Sequence, residues 1–147
     1  MSPSLSWEEF LRNCEALAKL VRHDNFEPDV LVAVARGGLV PARILSDLLD
    51  VREIASLGLR YKDQSYTELV AYSVPSMFGV GSQALLIEDG LESGRSLIVA
   101  QELLEAQGLQ SKTAALYCSS KAITKPNYFL EVVEEIPSMP WEINARV

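Results

Sequence analysis

The sequence predicts an α/β fold, a central and mostly parallel sheet flanked by helices. Three observations carry this. Two short apolar runs, Val30 to Ala35 and Ala84 to Ile87, have the look of strands buried on both faces; each is followed by a glycine-bearing turn; and each turn leads into a helical pattern. Alternating strands and helices imply βαβ units, hence parallel pairing with helices on both faces. At 147 residues, 48% of them apolar and 22% charged, the chain is expected to form one domain, 1–147, with a sizeable core.

The first element is a helix. Ser6-Trp7-Glu8-Glu9 has the form of a capping box, and Phe10, Leu11, Cys14, Leu17, Ala18 and Val21 recur at helical spacing. Lys19, Arg22 and His23 crowd its end, where cations complement the helix dipole, so the only histidine reads as a helix-end residue rather than a catalytic one. Val30 to Ala35 is a central strand broken by Gly37-Gly38, and Pro41 suits the first turn of a helix through Ala42, Ile44, Leu45, Leu48 and Leu49. A strand over Ile54 to Tyr61 follows, then a polar stretch and a strand or hairpin arm over Leu69 to Val74. Ala84 to Ile87 is the next strand, with a turn from Glu88 to Gly94 and a helix through Leu97, Ile98, Ala100, Leu103 and Leu104. Gly108 suits the end of that helix, and Thr113 to Cys118 is a further strand. From Lys125 to Val147, three prolines and no helical period leave room for two short strands.

The net charge of -7 opposes broad attraction to nucleic acid or anionic lipid, and neither is an expected partner. Cys14 and Cys118 lie in no CxxC or Cys/His pattern, which excludes a disulfide framework or a zinc site and fits a reducing cytoplasm. No apolar run approaches the roughly 18 residues of a membrane span, and residues 1–9 lack a basic segment before an apolar one, so the protein is expected to be neither exported nor anchored. The P-loop pattern GxxxxGK[ST] is absent. Gly79-Val80-Gly81-Ser82-Gln83-Ala84 matches the GxGxxA string but leads into a strand instead of following one, the wrong context for a dinucleotide site.

In open parallel sheets, ligands bind beyond the carboxyl ends of the strands, so the two strand-to-helix turns are where chemistry is expected. The first, Ala35-Arg36-Gly37-Gly38-Leu39-Val40-Pro41, joins a cation to two glycines whose bare backbone lets N–H groups approach a phosphate or diphosphate; a tight turn with a solvated arginine fits the same residues. The second, Glu88-Asp89-Gly90-Leu91-Glu92-Ser93-Gly94-Arg95-Ser96, sets three carboxylates before a small-residue anion nest. Adjacent acids at the end of an apolar strand repel unless a cation or hydroxyl donors lie between them, which suits a sugar diol with Mg²⁺ nearby. Ser93 to Ser96 can then hold a monophosphate. Together the two turns describe a ligand with a phosphorylated ribose and a diphosphate.

With these motifs in place, the sequence resembles the type I phosphoribosyltransferase family. Leu85-Leu86-Ile87-Glu88-Asp89-Gly90-Leu91-Glu92-Ser93-Gly94-Arg95-Ser96 follows the family's signature for phosphoribosyl pyrophosphate, an apolar strand and two acids before an acid-Thr/Ser-Gly-x-Thr/Ser turn. Val34-Ala35-Arg36-Gly37-Gly38-Leu39-Val40-Pro41-Ala42 is similar to the diphosphate loop of its hypoxanthine, xanthine and guanine branch, in which the peptide matching Arg36–Gly37 is often cis. The resemblance covers about Val30 to Glu142 and implies a small C-terminal hood, from Lys125-Pro126-Asn127-Tyr128 and Pro140-Trp141-Glu142. It implies that Arg36, Gly37, Glu88, Asp89, Gly90, Leu91, Glu92, Ser93, Gly94, Arg95 and Ser96 bind phosphoribosyl pyrophosphate, with Mg²⁺ at Glu88 and Asp89. Glu92 would take the proton displaced from the base, Lys121 and Trp141 would contact the base, and Ser65-Tyr66 would belong to a mobile loop. Gly90 departs from the family's usual branched apolar residue, and Ser119 stands where salvage members carry a base-contacting lysine, two residues before Lys121. The implied activity is transfer of ribose 5-phosphate to a nucleobase, a 6-oxopurine foremost, by a cytoplasmic homodimer. The alternative is a non-catalytic regulatory protein of the same fold that binds phosphoribosyl pyrophosphate or a nucleotide.

Overall fold

A computed structural model describes residues 3–143. Along the chain run α1 (Trp7–His23), β1 (Val30–Ala35), α2 (Leu39–Leu49), β2 (Ile54–Tyr61), β3 (Leu69–Ser73), β4 (Gln83–Leu91), α3 (Arg95–Glu105), β5 (Gln110–Ser119) and β6 (Glu131–Val133). The strands form one sheet in the order β3-β2-β1-β4-β5-β6, parallel throughout except for the antiparallel β2–β3 hairpin. This is the fold class that the alternating pattern predicts.

Side-chain alternation on the central strands explains the layering. Leu31, Ala33, Leu85 and Ile87 point to the face covered by α1 and α2, where they meet Phe10, Leu17, Val21 and Leu45. Val30, Val32, Val34, Ala84 and Leu86 point to the other face, against Leu97, Ala100 and Leu104 of α3. α1 begins at the expected capping box: the Glu9 N–H donates to Ser6 Oγ at 3.1 Å and the Ser6 N–H to Glu9 Oε2 at 2.7 Å. Cys14 and Cys118 are buried, unbridged thiols, and burial pushes Cys14 up to about 12, which makes it an inert core residue. The Gly79–Ala84 segment is a loop entering β4, tied down by the Asp29 carboxylate, which accepts the Ser82 and Gln83 N–H groups at 2.9 and 3.0 Å.

The structure departs from the sequence expectations at three places. β4 does not end at Ile87 but runs on to Leu91, because Glu88, Gly90 and Leu91 stay paired with Ala115, Tyr117 and Cys118 of β5, and Leu91 is buried. Polar residues there imitate a turn while their backbone remains in the ladder. β5 begins at Gln110, three residues earlier than expected. Of the C-terminal segment, only Glu131–Val133 forms a strand; Tyr128 and Ser138 contribute isolated bridges to Ala114 and Ser4, and residues 144–147 lie outside the described region.

Gly38 is the point at which the β1–α2 turn meets β4. A side chain there would overlap the Ile87 carbonyl oxygen and come within 3.0 Å of the Val34 nitrogen, both backbone atoms that cannot swing aside. Gly38→Ala is therefore expected to lower the unfolding free energy by roughly 1–3 kcal/mol through overpacking, read as a lower midpoint in urea denaturation; an unchanged midpoint would contradict this contact.

Candidate functional site

The C-terminal ends of β1 and β4 bring the two turns together, as expected for a ligand site in an open parallel sheet. The first turn runs from Ala35 through Gly38, contains a cis peptide bond between Ala35 and Arg36, one residue before the position that the resemblance implies, and feeds directly into α2. The second runs from Glu92 through Gly94 into α3, with Gly94 as N-cap at φ +87°. Gly37 lies against the Asp89 carboxylate so closely that a side chain at 37 would collide with it. The two turns thus share a boundary, and the strand-end acid sits on it.

Beside the second turn opens a cavity of about 260 Å³, lined by Val34, Leu59 and Arg60 together with Glu88, Glu92, Ser93 and Ser96; of the first turn only Ala35 reaches it, and Arg36, Gly37 and Asp89 stand outside its lining. The pleat separates the two adjacent acids. Glu88 turns toward the start of α3, where Ser96 Oγ lies 3.0 Å from both of its carboxylate oxygens; Asp89 turns toward Gly37 and accepts the Gly90 N–H at 2.7 Å. Loss of hydration pushes Glu88 up to about 7, against the lowering effect of the Ser96 hydroxyl, and the Asp89 charge adds to the rise. Asp89 is raised as well, by burial first and then by the nearby Glu142, with the Gly90 N–H opposing. Among the described residues no lysine or arginine forms an ion pair with either acid.

The remaining expected site residues fall into place unevenly. Glu92, Ser93, Gly94 and Ser96 line the cavity together with Gly90. Arg36 and Arg95 are exposed at the head of the two turns, and the Arg95 N–H donates to Ser93 Oγ at 3.3 Å. Leu91 is 1% exposed, so its side chain is core and only its backbone reaches the edge. Ser65 and Tyr66 lie at the tip of the β2–β3 hairpin; the Ser65 N–H donates to Asp63 Oδ1 at 2.9 Å, and the Tyr66 ring rests edge-on against Tyr61, which itself lines the cavity. Lys121 is exposed on the loop after β5, its N–H donating to Ser119 Oγ at 3.1 Å.

Trp141 is not among the residues that line the cavity. The expected base-stacking ring packs instead on α1, edge-on to Phe10 at 4.9 Å between centroids and tilted against Trp7 at 5.9 Å. Helix α1 offers aromatic edges that the strand end does not, and the indole takes them. Two C-terminal residues do reach the strand end: Glu142, in the segment that the resemblance implies for the hood, whose charge acts on Asp89, and Ile136, which the sequence did not single out and which fills the space a side chain at Gly90 would need. One signal was available, since a glycine in place of a branched apolar residue means that another segment supplies the missing volume.

Comparison with known proteins agrees with this geometry. The family profile described as phosphoribosyl transferase domain matches residues 5–145. A xanthine-guanine phosphoribosyltransferase of Cereibacter sphaeroides is 30% identical over 107 residues, 67% of this chain and 63% of that protein, so the match spans less than two thirds of that relative. Among solved structures, the xanthine-guanine-hypoxanthine phosphoribosyltransferase of Helicobacter pylori superposes with a TM-score of 0.86 at 25% identity, covering 98% of this chain and 95% of that one. A purine phosphoribosyltransferase from Pyrococcus horikoshii gives 0.83 at 28% identity, covering 97% and 95%.

The raised Glu88 has a consequence for stability. Its folded value of about 7 lies above the ordinary 4.5, so the folded state binds the extra proton. The associated stability is fully present below pH 4.5 and is lost as pH rises through 7. Glu88→Gln, which keeps the Ser96 contact without the titration, should flatten the fall in urea midpoint between pH 5 and 8 and leave the variant about 1–3 kcal/mol more stable than wild type at the upper end. Parallel pH profiles for the two proteins would refute the assignment.

Proposed function

Because the chain belongs to the phosphoribosyl transferase family, we propose that it transfers ribose 5-phosphate from phosphoribosyl pyrophosphate to a nucleobase, foremost a 6-oxopurine, with release of pyrophosphate. The observation that carries this reading is the shared end of β1 and β4, where the helix starts at Gly38 and Gly94 flank the strand-end carboxylates: Glu88 and Gly94 line the cavity, and Asp89 lies against Gly37 beside it. N–H groups at a helix start bind phosphate without further provision, and carboxylates accept from the hydroxyls of a ribose diol. The printed names of the relatives, all acting on purines, support the choice of base.

In this reading the residues divide the substrate between them. Ser93, Gly94, Arg95 and Ser96 hold the 5-phosphate, with the Gly90 and Leu91 backbone beneath; Arg36 and Gly37 hold the diphosphate; Glu88 and Asp89 take the ribose hydroxyls. As the C1–O bond to the diphosphate breaks and the bond to the base nitrogen forms, the proton of that nitrogen passes to Glu92 at the cavity rim. Tyr66 and Ser65, at the tip of a hairpin whose base lines the cavity, fold over the substrate and exclude water. Lys121 reaches the base from the loop after β5.

Mg²⁺ fits the donor set. Among the described residues no group of three or more His, Cys, Asp or Glu is placed to chelate a metal, and a cation that keeps most of its ligands as water and phosphate oxygens needs no such cage. Glu88 and Asp89 would hold it, where it would neutralise charge on the departing diphosphate. We extend the reading to residues 1–147 acting as one domain in a cytoplasmic homodimer; separately, no helix among the described residues is long and apolar enough to cross a membrane.

The test is pyrophosphate release with hypoxanthine, guanine, xanthine, adenine, uracil and orotate in turn. Turnover with the first three and little with the rest is expected; release with none of the six, or preference for adenine or a pyrimidine, counts against it. Glu92→Gln should lower kcat by roughly 10²-fold or more with little change in the KM for phosphoribosyl pyrophosphate. Asp89→Asn should weaken phosphoribosyl pyrophosphate binding by on the order of tenfold in titration calorimetry, the share of one charged hydrogen bond; equal affinity for variant and wild type would remove Asp89 from the site.

A further inference from the structure

The loop between β5 and the isolated bridge at Tyr128 runs across the outer side of the second turn. The Ile123 N–H donates to the Ser93 carbonyl at 2.9 Å, so the loop is bonded to the turn's backbone. The next residue, Thr124, occupies the volume that a side chain at Gly94 would need: its Cγ2 lies 2.8 Å from the point where that Cβ would stand, and its own backbone oxygen and nitrogen lie at 3.2 and 3.3 Å. Gly94 has φ +87°, a conformation that side chains disfavour. The turn is therefore held from both sides, by α3 on the inside and by residues 123–124 on the outside.

On this ground we propose that Thr124 is a positioning residue for the sugar-phosphate subsite, fixing the Ser93–Gly94 backbone so that the N–H groups and hydroxyls of the turn converge on one phosphate. The inference rests on the assignment of that turn to the 5-phosphate made above. A nest of N–H donors binds an anion only while its peptide planes hold one orientation, since a donor turned by a few tens of degrees no longer points at the oxygen. Glycine at 94 leaves that orientation free to drift. The Thr124 methyl and the Ile123 N–H remove the freedom without occupying the cavity, whose lining includes neither residue. No hydrogen bond among the described residues joins this loop to Gly37 or Asp89, so the diphosphate side of the cleft is expected to keep its affinity when the loop contact is lost.

The test separates the two subsites by direct binding, with ribose 5-phosphate and inorganic pyrophosphate as probes in titration calorimetry on the full chain. Thr124→Gly should weaken ribose 5-phosphate by about five- to tenfold and leave pyrophosphate within twofold of wild type; in steady state the KM for phosphoribosyl pyrophosphate should rise by a similar factor with kcat nearly constant. Thr124→Val, which retains the methyl group in the same place, should restore ribose 5-phosphate binding. Equal binding of ribose 5-phosphate by Thr124→Gly and wild type overturns the inference alone, as does a Thr124→Val protein that behaves like the glycine variant. A wild-type protein that binds neither probe and releases no pyrophosphate overturns the proposed function, and the inference with it.

Discussion

The site depends on β4 remaining in the sheet past its apolar stretch. Glu88, Gly90 and Leu91 keep their pairing with Ala115, Tyr117 and Cys118, and Leu91 is buried as deeply as residues 84–87 of the apolar stretch. Each ladder bond contributes about 0.5–1.5 kcal/mol net, and burial of one leucine contributes about 1.5–3 kcal/mol, enough together to offset partial desolvation of the carboxylates between them. A chain that turned at Glu88 would leave both acids on a solvated loop. In the sheet, the pleat assigns one acid to each side, Glu88 to the head of α3 and Asp89 to the head of α2, so one strand end meets both strand-to-helix turns.

The rest of the edge is assembled by close approach at residues without side chains. Gly37 admits the Asp89 carboxylate, Gly38 the Ile87 carbonyl, Gly90 the Ile136 side chain and Gly94 the Thr124 methyl. In each case a segment distant in sequence comes to fill the vacant volume, and four connections of the chain are thereby pinned to two strand ends. Protein interiors are packed tightly enough that an absent Cβ leaves either a void or an opening for a neighbour. Here it is the neighbour every time.

Much of this was legible in the sequence, for reasons that also explain what was not. β1 and β2 have the limits read from apolar runs, because both runs end at residues that change composition sharply, Ala35 before Arg36 and Tyr61 before Lys62. The acid-rich segment pointed to the strand end where Glu88 and Asp89 lie beside the two turns, because acids after an apolar strand have few structural uses. The end of β4 was hidden, since backbone pairing leaves no trace in side chains that are polar for functional reasons. Trp141 was ambiguous for the opposite reason: an aromatic ring suits a flat base and an aromatic cluster equally, and the packing against Trp7 and Phe10 appears only in three dimensions. The loop after β5 was opaque because its role lies in Ile123 and Thr124, whose contribution is a backbone N–H and a methyl group, features every residue of their type possesses.

Electrostatics completes the argument. A chain of net charge -7 must lower its own repulsion before it can hold a polyanion. Among the described residues no arginine is buried: Arg36 and Arg95 are exposed, and Arg60 is the one cation on a cavity wall that otherwise carries the Glu88 and Glu92 carboxylates, small polar groups and apolar side chains. The structure works through two other means. Glu88, with its acid pushed up to about 7, carries only part of a negative charge at neutral pH, and the helix starts at Gly38 and Gly94 present N–H groups whose partial positive charge is fixed in direction and needs no counter-ion. Neutral donors of this kind bind well only when they are held still. Under the proposed function, the geometry of the turns therefore carries affinity that a cluster of flexible cations would supply elsewhere, and the contacts at Gly37, Gly38 and Gly94 belong to the binding chemistry as much as the groups that would touch the phosphate.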